Sequence, residues 1–151
     1  QMIIVPLGIN HARLGDHENI VAVKEACGSV DQVSQILSLC DITVLSGDDS
    51  LTVPMMSVGA TGVISVGANV MPADMAAMCT AARDGDFAAA RDRHYKLMPL
   101  FKGLFFETNP MPVKTTLARM GLIENVLRLP LVAMSAPGQE RLAPVLDALG
   151  L

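Results

Sequence analysis

The first clear pattern along the chain is Ile20-Val21-Ala22-Val23-Lys24-Glu25-Ala26, a short, largely β-branched run that reads as a buried strand. Gly28 closes it. Ser29-Val30-Asp31-Gln32 then has the spacing of a capping box, with Ser29 accepting from the helix start and Gln32 reaching back. Val30, Val33, Ile36, Leu37 and Cys40 recur at helical spacing. Ile42-Thr43-Val44-Leu45 reads as a second buried strand, closed by Ser46-Gly47-Asp48-Asp49. A short helix through Val53, Met55, Met56 and Val58 ends near Gly59. Gly62-Val63-Ile64-Ser65-Val66 is a third strand, stopped by Gly67-Ala68-Asn69. Strand, helix, strand, helix, strand predicts right-handed βαβ units and a parallel sheet.

From Pro72 onward the pattern is helical. Pro72 suits a first helical turn, and Met75, Met78, Cys79 and Ala82 give that helix one face. Asp84-Gly85-Asp86 is a turn. A long helix carries Phe87, Ala90, His94, Leu97, Met98, Phe101, Leu104 and Phe105, with Pro99 expected to kink it. Asn109-Pro110-Met111-Pro112 interrupts the pattern, and a helix from about Val113 to Met120 ends at Gly121. Leu129-Pro130-Leu131 is a connector before a last helix from about Gly138 to Leu149. The expected division is an α/β part over 1–70 and a helical domain over 71–151.

Composition narrows the function classes. The chain has 151 residues, 51% of them hydrophobic, enough for a large core. Its net charge of -4 argues against a nucleic-acid surface, which would cluster Lys and Arg. No apolar stretch reaches the roughly 18 residues of a membrane span. The start has no basic region of a signal peptide, and Gln1 is not an initiator methionine, so a fragment or processed product is expected. Cys27, Cys40 and Cys79 are an odd set without a close pair, which fits reduced thiols in the cytoplasm. Neither they nor His11, His17 and His94 have metal-site spacing. Each histidine reads as a surface or loop residue, and the ten methionines as gap-fillers in the core and at helix interfaces.

Lys24 carries the candidate chemistry. An unpaired ammonium in an apolar setting is strongly disfavoured. Desolvation lowers a lysine pKa, and a neutral lysine amine forms Schiff bases with carbonyl compounds. The bland alternative is a strand-end lysine that snorkels to water. The other polar strand ends, Ser46-Gly47-Asp48-Asp49 and Gly67-Ala68-Asn69, lie where ligands bind in parallel α/β folds. Gly47 would let a ligand approach the backbone closely. Asp48 and Asp49 would favour the next helix start, or simply cap it. Asn69 reads equally well as a turn residue.

Several of these runs are recognisable. Val21-Ala22-Val23-Lys24-Glu25-Ala26-Cys27-Gly28, Leu45-Ser46-Gly47-Asp48-Asp49 and Gly62-Val63-Ile64-Ser65-Val66-Gly67-Ala68-Asn69 resemble the dihydrodipicolinate synthase family. So do Asn109-Pro110-Met111-Pro112-Val113-Lys114 and Arg128-Leu129-Pro130-Leu131. The similarity is nearly continuous from about Asn19 to Leu151. The wider class of pyruvate-dependent class I aldolases, N-acetylneuraminate lyase among them, shares the lysine strand. The Ser-Gly-Asp-Asp and Asn-Pro-x-Pro-Val-Lys runs look more like the synthase branch.

The resemblance implies a fold and a chemistry. The fold is an α/β (β/α)8 TIM barrel, of which about the last three βα units are present, followed by a C-terminal α-helical domain. Lys24 matches the lysine that holds pyruvate as a Schiff base, without metal or organic cofactor. The enamine then attacks aspartate semialdehyde, giving 4-hydroxy-tetrahydrodipicolinate on the diaminopimelate route to lysine. Gly47 and Ile64 match residues lining that pocket, Ile64 through its carbonyl. The implied partners are pyruvate, an aldehyde, and either further copies of the chain or a complementary N-terminal half. A non-catalytic oligomerisation or regulatory module and a sister aldolase are the competing readings.

The match has limits. A complete barrel takes roughly 200 residues or more, so its first half is not in this sequence. That half would carry the Gly-Thr-Thr-Gly-Glu segment holding the pyruvate carboxylate and the Thr–Tyr–Tyr proton relay. With Val5-Pro6 laid on the family's Val-Pro, the catalytic Tyr falls on Ile3 and the substrate-binding Arg on Gly8, so neither is carried over. No motif places Arg13. The expected inward apolar face is Val21, Val23, Val44 and Ile64. An open three-stranded piece would leave that face and two sheet edges in need of a partner.

Overall fold

A computed structural model describes residues 14–151 of the chain. Expectations for Ile3, Val5, Pro6, Gly8, His11 and Arg13 lie outside the described residues. Among the described residues, β1 (Ala22–Glu25), β2 (Thr43–Ser46) and β3 (Gly62–Val63) form a three-stranded sheet in the order β1-β2-β3. Both pairings are parallel, as βαβ alternation requires. Helix α1 (Val30–Leu39) joins β1 to β2. A 3-10 turn (Asp49–Leu51) and α2 (Thr52–Ser57) join β2 to β3.

The strands are shorter than the apolar runs that contain them, because ladder bonding stops first. Ile64 still donates its amide to the Ser46 carbonyl at 2.9 Å. The chain then turns through a 3-10 segment at Gly67–Asn69. Ser29 caps α1 as its sequence position predicts, its hydroxyl accepting from the Gln32 amide at 3.1 Å. Gly59 takes φ of +110° after α2, a conformation that side chains rarely tolerate.

The pleat separates two faces. Val23, Glu25, Val44 and Ser46 are buried, while Ala22, Lys24, Thr43 and Leu45 are more open. Val23 and Val44 join the core with Val33 and Ile36 of α1 and Met55 and Met56 of α2. This corrects the expected inward apolar set. Val23 stands one residue from Lys24, so a two-residue period sends it to the opposite, helix-covered face. Val21, which precedes β1, is 71% exposed, and Ile64, which follows β3, is 37% exposed.

The chain forms two compact units. The first takes residues up to Ser65 together with Ala76–His94, and the second takes Val66–Met75 and Tyr95–Leu151. Helices α3 (Pro72–Arg83) and α4 (Phe87–Gly103) contribute residues to both. Helix α4 runs on through Pro99. The second unit also holds α5 (Met111–Arg119) and α6 (Ala136–Ala148). Leu97, Leu100, Phe101, Leu104, Leu142 and Leu146 are among its buried residues. Ser135 caps α6 by accepting from the Gly138 amide at 3.1 Å. The Ser135 hydroxyl in turn donates to the Glu107 carboxylate.

His94 corrects the reading of it as a surface or loop residue. It is buried in α4, on the apolar face its helical spacing marks, and burial lowers its pKa from the usual 6.5. His17 is exposed. The three cysteines are free thiols. No helix among the described residues is long and apolar enough to cross a membrane.

Candidate functional site at the strand ends

The carboxyl ends of the three strands all belong to the first unit. Lys24 is next to last in β1 and pairs in register with Leu45, which pairs with Gly62. Residues in register across a parallel sheet share a face, so these three form one row, in which Lys24 and Leu45 are half-buried and Gly62 is buried. Ile64 stands two residues beyond Gly62, just after β3, which is separated from β1 by β2.

Gly47 follows β2, and its amide donates to the Glu25 carbonyl at 2.5 Å. A Cβ at residue 47 would lie 2.6 Å from that oxygen and 2.6 Å from Ala26 Cβ. The structure therefore gives Gly47 a second task besides the expected close approach of a ligand. It lets the continuation of β1 lie against the end of β2.

Two residues at these ends have roles that sequence reasoning missed. Glu25 is buried, on the face of Val23. Its Oε1 accepts from the Cys27 amide at 2.9 Å and from the Cys27 thiol at 2.6 Å. The bond to Glu25, then desolvation and the carboxylate charge, raise the Cys27 thiol pKa. A carboxylate at a buried position of an alternating strand was the available signal. Ser46, fully buried, donates to the Asp48 carbonyl at 2.8 Å and accepts from the Asp48 amide at 3.1 Å. The Thr52 hydroxyl donates to the same carbonyl at 3.2 Å. Side chains on either side of the turn thus hold the Ser46–Asp49 segment.

Asp49 is buried in the first 3-10 turn. Desolvation, and secondarily the charge of Asp49, raise the Cys79 pKa. Asn69 behaves as the turn residue its composition allows, its side-chain amide donating to the Val66 carbonyl at 3.0 Å. Among the described residues no cluster of His, Cys, Asp or Glu could hold a metal ion. The second unit has its own cleft of about 360 Å³, lined by Thr115, Arg119, Asn125, Gln139, Leu142 and Leu146, among others.

The sequence profile of the dihydrodipicolinate synthetase family matches residues 7–149. The chain belongs to this family. It is 51% identical over 142 residues to the 4-hydroxy-tetrahydrodipicolinate synthase of Thermodesulfovibrio yellowstonii, covering 93% of this chain and 49% of the relative. It is 52% identical over 143 residues to that of Syntrophobacter fumaroxidans, with the same coverage. Among solved structures, dihydrodipicolinate synthase from Aquifex aeolicus superimposes with a TM-score of 0.90 at 47% identity, covering 94% of this chain and 49% of the other. The Thermotoga maritima enzyme gives 0.91 at 43% identity, covering 95% and 51%. The chain thus spans about half the length of the curated relatives it matches.

Proposed function

We propose that the chain is the carboxyl-terminal part of a 4-hydroxy-tetrahydrodipicolinate synthase in lysine biosynthesis. Residues 1–70 are the last strands and helices of a (β/α)8 barrel, and 71–151 a helical domain. The observation that carries this reading is Lys24 at the carboxyl end of a parallel strand. Gly47 and Ile64 follow the same ends of the other two strands, in a chain about half identical to named synthases.

The Lys24 amine attacks the carbonyl carbon of pyruvate and water leaves, giving an imine. Loss of a proton from the adjacent methyl gives an enamine, whose carbon attacks the aldehyde of aspartate semialdehyde. The semialdehyde's own amino group then attacks the imine carbon, and the Lys24 amine leaves as the ring closes to 4-hydroxy-tetrahydrodipicolinate. The protonated imine serves as the electron sink, so the cycle needs no metal or organic cofactor. Gly47 and the Ile64 carbonyl line the space beside the imine.

The remainder of the barrel comes from further copies or a complementary N-terminal half. Among the described residues, β1 and β3 each pair on one side only, which supports this. The free thiols fit a cytoplasmic setting. Borohydride reduction in the presence of pyruvate tests the reading: the adduct forms on Lys24. A folded assembly that forms no adduct would instead indicate a non-catalytic relative.

A further inference from the structure

We propose that Glu25 is a positioning residue for Lys24, its carboxylate clasping the turn that ends β1. The proposal rests on reading Lys24 as the Schiff-base lysine. The pleat puts the Glu25 side chain on the helix-covered face, opposite the row of Lys24, Leu45 and Gly62. Glu25 therefore acts through the backbone and does not meet the keto acid.

Its position is otherwise one for an apolar side chain. Val23, two residues earlier on the same face, is in the core. A carboxylate in such surroundings is costly unless it is hydrogen-bonded. Here Oε1 accepts from the Cys27 amide and thiol. The Cys27 sulfur also lies 2.6 Å from Gln32 Oε1, in the first turn of α1. The Glu25 carbonyl is held by the Gly47 amide, and the Gln32 amide by Ser29. The segment from Lys24 to α1 is thus fixed at three successive points, and the Glu25 carboxylate supplies the middle one. A lysine that must present its amine to a carbonyl carbon benefits from a strand end that does not fray, because small misplacements of a reacting group cost large factors in rate.

Two variants separate this role from charge and from simple stability. Glu25→Gln keeps an oxygen acceptor for the Cys27 amide, while Glu25→Met keeps length and packing but removes the acceptor. Amide hydrogen exchange at Cys27 and Gly47 reads the clasp. The rate of borohydride trapping at Lys24 against pyruvate concentration, in folded protein, reads its consequence. E25M is expected to exchange at Cys27 about tenfold faster or more. Its saturating trapping rate should fall about tenfold, with half-saturating pyruvate unchanged. E25Q is expected to match the wild type in both. Wild-type exchange at Cys27 in E25M overturns the proposal. So does an unchanged saturating rate, or an E25Q as impaired as E25M. Glu25→Ala is a second acceptor-free variant should E25M not fold. If neither folds while E25Q does, Glu25 is purely structural and the proposal fails. Absence of trapping in the wild type removes the Schiff-base reading itself, and the proposal with it. Trapping in the wild type with an unaffected E25M overturns the proposal alone.

Discussion

The Gly47 amide donates to the Glu25 carbonyl across 2.5 Å, and that contact leaves no room for a side chain on residue 47. A β-carbon there would meet Glu25 O and Ala26 Cβ, both at 2.6 Å, and backbone cannot swing aside as a flexible side chain would. Gly47→Ala is therefore expected to destabilise the first unit by about 1–3 kcal/mol, the usual range for overpacking. Urea unfolding checks it. A midpoint equal to the wild type would mean that the two strand ends are not in contact.

Cys27 should be a slow nucleophile despite its exposure. The thiol donates to Glu25, and ionising it would set a thiolate against a carboxylate, so its pKa is raised. Near pH 8.5 its alkylation by iodoacetamide is expected to lag behind that of a cysteine in an unstructured peptide. Glu25→Gln should speed it. Timed labelling and peptide mapping measure both rates.

Stability should fall with acid through His94. Its folded pKa is lowered by burial, so the folded chain resists protonation that the unfolded chain accepts near pH 6.5. The contribution is whole above that pH and declines as pH drops towards the folded pKa. Thermal midpoints at about pH 7.5 and about pH 5.5 give the wild-type difference. His94→Leu is expected to shrink it, while an unchanged difference would assign the acid sensitivity to other groups.

Two helix caps give separable stability losses, one in each unit. Ser29→Ala removes the acceptor for the Gln32 amide and should cost about 1 kcal/mol. Gly138→Ala puts a β-carbon into the space of Glu107 Oε1, disturbing the Glu107–Ser135 bond at the start of α6. Denaturation curves of each variant check these, and proteolysis at sites within each unit reports which one loosens.

Much of this was legible in the sequence because periodicity and punctuation agreed. Ser29 before an apolar helical stripe gave the start of α1, and Pro72 the start of α3. The βαβ rhythm gave parallel pairing. Which strand face meets the helices was misread, since Val21, Val23, Val44 and Ile64 look alike as apolar residues. Only the register separates Val23 and Val44 from the row of Lys24. The tasks of Glu25 and Ser46 were hidden for a related reason. Polar residues at strand ends suggest ligand binding, yet here both side chains fasten backbone of their own turns. Lack of metal-site spacing says nothing about burial for His94; its place on an apolar helical face decides it.

Lys24 is the residue proposed to carry the Schiff base. The sequence has four lysines, Lys24, Lys96, Lys102 and Lys114. The most direct measurement is peptide mapping by mass spectrometry after pyruvate and borohydride treatment of the best-assembled protein, with a pyruvate-free control. A reduced pyruvate adduct confined to the peptide bearing Lys24 is the expected result. An unmodified Lys24, or modification spread evenly over all four lysines, would contradict it.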